Sequence, residues 1–176
     1  MDLRFSIGLL GSILLIIGAA LPDRPAPVAR KSGKNRLFAC GNAGMFLYAL
    51  LGYLAGGPIF FLILQIFVAC STVLMMAGVP DRWDTPALSL IGVGLVIWSL
   101  ALFKDYSTAI FVCGLVLLGV GFAMKPGTAK RELALAIGSI AIALFSYFAH
   151  DWIFVILNAF FAVLSGVQVR ALLHHR

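Results

Sequence analysis

The chain has 176 residues, 62% of them hydrophobic and 11% charged, with a net charge of +6. Soluble domains are ordinarily about one quarter charged, so this composition excludes one and points to an integral membrane protein. The longest connection between apolar runs, Pro22 to Arg36, leaves no room for a water-soluble catalytic domain.

A helix crossing a hydrocarbon core needs about 20 mainly apolar residues, or about 17 when upright. Seven runs qualify, at about 5–21, 37–55, 58–79, 87–103, 107–124, 133–149 and 152–169. A transmembrane barrel would need alternating apolar and polar positions, whereas these runs are apolar all round. The first run ends on Gly18-Ala-Ala20, much as a secretory signal would, but its later counterpart is internal, which predicts a retained helix. After the basic stretch Arg24 to Arg36, the second run carries Asn42, Tyr48 and Tyr53 and reaches the third through Ala55-Gly-Gly-Pro58. The third contains Gln65, Ser71 and Thr72, and the fourth stands alone. The fifth ends before Lys125-Pro126-Gly127. His150 and Asp151 separate the sixth run from the seventh, in which Asn158 and Ser165 lie. Very short links make the helices on either side antiparallel neighbours.

The order repeats. Phe60 to Phe67, FFLILQIF, returns as Ile153 to Phe160, IFVILNAF, placing Asn158 93 residues after Gln65. Tyr53 matches Tyr147 and Gly44 matches Gly138 at a spacing of 94, and Gly11 to Gly18 resembles Gly114 to Gly121 at 103, predicting a first loop nine residues longer than its counterpart. Three helices per repeat require one linking helix if both repeats are to point the same way, which yields a 3+1+3 plan. The expected parts are a bundle over 1–79, a linker over 80–105, and a second bundle with a short tail over 106–176. Glycines at 8, 11, 52, 56, 92 and 94 are read as close-packing positions.

Counted by loop, eleven basic residues fall on one side and only Arg4 and Lys104 on the other, so the positive-inside rule predicts N-out, C-in. The charge is thereby explained by topology and by anionic lipid at the cytoplasmic loops rather than by nucleic acid. The expected location is the bacterial inner membrane. Cys40, Cys70 and Cys113 lie in apolar runs without CxxC spacing and are read as small packing residues. No paired-carboxylate, HExxH or phosphate-loop motif is present, so neither enzyme activity, metal nor cofactor is expected. All acidic residues fall near run ends or in loops, which disfavours ion-coupled pumping.

Buried amides must face protein, because an unpaired amide in hydrocarbon costs several kcal/mol. Gln65 and Asn158 could hydrogen-bond a neutral polyol or sugar, with Asn42 and Tyr48 as further candidates. Equally, such amides could simply join helices. Tyr53, Tyr147, Trp83 and Trp152 lie near run ends and read as interface anchors, and His150 as exposed.

This arrangement resembles the SWEET and SemiSWEET sugar facilitators and the wider PQ-loop family, and the resemblance covers nearly the whole chain. Leu21-Pro22-Asp23 and Lys125-Pro126-Gly127 stand where the family carries Leu-Pro-Gln, and Pro58-Ile59 leading to Gln65 and Trp152-Ile153 leading to Asn158 look like its third-helix pattern. The Gln of that element is missing in both halves, and the second half shows no aromatic counterpart of Tyr48. The resemblance implies a uniporter for a small neutral solute, a sugar being the family's class, with two bundles rocking around a midplane site and Pro22 and Pro126 as hinges. The alternative is a non-transporting accessory or assembly subunit, either as a homo-oligomer or beside another membrane partner.

Overall fold

The computed structural model describes residues 2–21, 32–125 and 127–174. It is all-helical among these residues, with α1 (Leu3–Ala20), α2 (Gly33–Leu54), α3 (Ile59–Ala77), α4 (Asp81–Ala101), α5 (Tyr106–Ala123), α6 (Ala129–Phe148) and α7 (Trp152–His174). All seven are long and apolar enough to cross a membrane. Large apolar side chains such as Leu54, Val73, Leu90 and Val163 are exposed, as expected of a surface solvated by lipid rather than water.

Several helices outrun the apolar segments that predicted them: α2 and α6 each begin four residues earlier, and α4 begins six earlier. Backbone hydrogen bonding does not stop where hydrocarbon does, and Lys and Arg stems can lie along a helix while their charges reach water. Lys34, Arg36, Lys130 and Arg131 are accordingly helical. Thr128 caps α6, its hydroxyl accepting from the Arg131 amide at 3.4 Å.

Contacts divide the chain into two units, Met1–Asp84 and Thr85–Arg176. In the first, α2 packs on both α1 and α3; in the second, α6 packs on both α5 and α7. The boundary passes between Asp84 and Thr85, so most of α4, including Pro86, belongs to the second unit. Its buried residues are Leu88, Leu95 and Ser99, the last donating its hydroxyl proton to the Leu95 carbonyl at 2.8 Å.

The duplication is visible inside each unit. Asp2 caps α1 and Asp105 caps α5, at the same spacing of 103 that relates Gly11 to Gly114, Leu15 to Leu118 and Gly18 to Gly121. The links between second and third helices also match. Gly57 N–H bonds the Gly52 carbonyl and Asp151 N–H bonds the Ser146 carbonyl, both at 2.9 Å. Each bend passes through the left-handed region, at Gly56 with φ 88° and at His150 with φ 56°. Asp151 then accepts from the Phe154 amide at 3.2 Å and starts α7.

The helix crossings revise one sequence pairing. A Cβ on Gly41 would lie 2.9 Å from both the Gly11 carbonyl oxygen and the Leu15 nitrogen; on Gly138 it would meet the equivalent Gly114 oxygen at 3.1 Å and Leu118 nitrogen at 3.0 Å. Gly138 thus occupies the place of Gly41, not that of Gly44. Because Gly41 lies 13 residues before Leu54 and Gly138 only ten before Phe148, α5 crosses α6 about one turn nearer the following link. Twelve residues separate α1 from α2 and five separate α5 from α6, so the first connection is seven residues longer rather than nine. Gly52 is a close-packing position, though against the Arg4 side chain rather than a helix backbone, whereas Gly56 serves the turn and a Cβ on Gly94 would meet nothing within 4 Å.

Candidate functional site

Gln65 lies six residues after the start of α3 and Tyr48 six before the end of α2. At about 1.5 Å per residue, both are roughly 9 Å from the link joining these antiparallel helices. Gln65 is 4% exposed, and its Oε1 is buried without a hydrogen-bond donor. Its neighbours in sequence, Ile63, Leu64 and Phe67, are buried and can supply no side-chain donor.

Tyr48 is also buried, and the Arg4 guanidinium lies over its ring, 4.7 Å from the centroid. Gly52 makes room for this, because an added Cβ would stand 2.5 Å from an Arg4 terminal nitrogen. A cation over an aromatic face is favourable by about 0.5–2 kcal/mol, more as water is excluded. In the revised crossing register Tyr48 corresponds to Phe145, the aromatic counterpart that the sequence did not reveal. Phe145 packs on Phe111 with centroids 5.0 Å apart. Phe111 stands 103 residues after Gly8, so one unit pairs small with large plus a guanidinium where the other pairs two phenyl rings.

Asn42 is deeper, 12 residues from the end of α2, and donates through Nδ2 to Thr72 Oγ1 of α3. Thr72 in turn donates to the Val68 carbonyl at 2.8 Å. At the corresponding distances from the α6–α7 link stand Ala136 and Ser165, both buried; Ala136 has no polar group to offer.

Asn158 is 7% exposed, and its Nδ2 donates at 2.9 Å to the Phe154 carbonyl one turn back in α7. The amides that repeat in sequence therefore differ in hydrogen bonding. Pro22 and Pro126 lie outside the described residues. His150 is exposed, as expected, and Tyr53, Tyr147, Trp83 and Trp152 are exposed too. Cys40 and Cys113 are exposed rather than packed.

Sequence reasoning missed the burial of Glu132. This fourth residue of α6 is 3% exposed, with Oε1 accepting from Arg131 Nη1 at 2.6 Å. The available signal was Thr128, a favourable N-cap residue that starts the helix before the apolar run. Among the described residues, no group of three or more His, Cys, Asp or Glu side chains could hold a metal ion.

No protein-family model matches the chain, and neither does any curated protein or solved structure.

Proposed function

We propose that this protein is an integral membrane facilitator for a small neutral solute, oriented N-out and C-in on a 3+1+3 plan. Transport proceeds by alternate opening of a polar site that contains Gln65. The observation that carries this reading is the buried, unpaired Oε1 of Gln65, because such an acceptor is costly unless something with a donor visits it. The sugar class rests on the sequence resemblance to SWEET and PQ-loop proteins.

Uptake of a panel of labelled polyols and sugars into proteoliposomes tests the proposal. It predicts saturable uptake of at least one panel member without dependence on an ion gradient; rates equal to those of empty vesicles for correctly folded protein would reject it. A second reading, an accessory subunit of a membrane complex, is favoured by the internal bonds of Asn42 and Asn158, which join helices or close on one helix. Under that reading Gln65 meets a partner's donor instead of a solute.

A further inference from the structure

The two repeated amides occupy equivalent places in sequence but have different unmet needs. Asn158 commits an N–H to the Phe154 carbonyl of its own helix. The residue four before Gln65 is Phe61, yet Gln65 carries one methylene more than Asn and leaves its Oε1 buried without a donor. An amide oxygen can only accept, and backbone N–H groups within a continuous helix already serve the carbonyls one turn back. Neither its own helix nor its buried sequence neighbours supply Oε1 with a donor, and a ligand bearing an O–H or N–H would do so.

We propose that the amides have unequal roles: Gln65 recognises a donor-bearing group of the solute through Oε1, whereas Asn158 is a structural residue of α7 that takes no part in recognition. This rests on the facilitator reading and sharpens it. The solute needs a hydroxyl or N–H that can enter α3's surroundings, and a molecule with the same oxygen skeleton but no donors is not a ligand. The asymmetry extends to a neighbouring layer, since the first unit also holds the Arg4–Tyr48 stack where the second packs Phe111 on Phe145.

The full chain in detergent supplies the test, with thermal unfolding followed in the presence of glycerol, D-glucose and their fully O-methylated forms. At least one hydroxylated probe is expected to raise the wild-type Tm by about 2–4 °C, as ligand linkage requires, while its methylated form leaves Tm unchanged. Gln65→Met, which keeps the volume and removes the acceptor, is expected to abolish the shift without lowering the solute-free Tm. Asn158→Leu should retain the shift even if its solute-free Tm falls, and Asn158→Ser serves if the leucine variant does not fold. If no probe stabilises the wild type and Gln65→Met lowers Tm, Oε1 holds only a resident water and the proposal is overturned. The absence of any probe-induced shift also overturns it when the Tm of Gln65→Met is unchanged. If Asn158→Ser removes the shift as completely as Gln65→Met, unequal roles are rejected while the facilitator reading stands. Equal shifts from methylated and hydroxylated probes reject recognition through an acceptor.

Discussion

Asn42, Gln65 and Asn158 are buried amides placed in three different hydrogen-bonding situations. Asn42 donates between helices, Asn158 donates within one, and Gln65 keeps an acceptor without a donor. Polar bonds between membrane helices average about 0.6 kcal/mol and reach about 1.7, so Thr72→Val should destabilise by roughly that amount. A double-mutant cycle with Asn42→Leu, followed by reversible unfolding, should give a coupling in the same range; zero coupling would mean that the bond contributes nothing. Asp105 offers a test outside the membrane-spanning segments. Its carboxylate accepts from the Ser107 hydroxyl at 2.6 Å and the Thr108 amide at 3.0 Å, and these bonds, the Ser107 contribution first, hold its pKa below the ordinary carboxylate value. Since the folded pKa is the lower, the contribution is present above the unfolded pKa and is lost as pH falls through the folded one. Carbon NMR of the side-chain carboxyl should show the Ser107→Ala midpoint moving upward toward the ordinary value. The presence of buried amides was legible in sequence, but their hydrogen bonds were not, because one methylene and one turn of register decide whether an amide reaches its own backbone or a neighbour.

At the level of helices, lipid provides no hydrophobic preference for one helix face over another, so close backbone approach governs packing. Gly41 lies against the backbone of α1, and any side chain there must push the helices apart. Gly41→Val should destabilise by about 1–3 kcal/mol or more, the usual cost of overpacking. Gly94→Ala, with open space around it, should be neutral or stabilising by up to about 1 kcal/mol. Equal losses in thermal unfolding would contradict the crossing geometry. At the second bend His150 adopts the conformation that Gly56 adopts at the first, so His150→Gly is expected to stabilise by about 1 kcal/mol; a clear fall in Tm would refute a strained bend. The seven helices and their order were readable from apolar length and turn residues. The crossing register was not, because an apolar helix shifted by three residues presents nearly the same face and matches its repeat almost as well. Helix starts at Gly33 and Ala129 were hidden for a different reason, as hydropathy marks hydrocarbon while helices continue beyond it.

Across the described residues, caps, bends and crossing glycines match between the two units while polar groups differ. Asp2 and Asp105 start equivalent helices, and the two short bends share their hydrogen-bonding pattern. By contrast, where one unit stacks Arg4 on Tyr48 the other packs Phe111 on Phe145, and Asn42 bonds Thr72 where Ala136 stands at the same distance from the second link. On the facilitator reading we propose, the two units share a scaffold and divide the work, and Gln65 is the group that an incoming donor meets. Counterflow tests this directly: proteoliposomes preloaded with unlabelled polyol or sugar are diluted into the labelled compound, and transient accumulation is followed. Our account predicts an overshoot for wild type that persists when ion gradients are collapsed, survives Asn158→Ser and is lost in Gln65→Met. A trace indistinguishable from protein-free vesicles for every solute, or an overshoot undiminished in Gln65→Met, would contradict it.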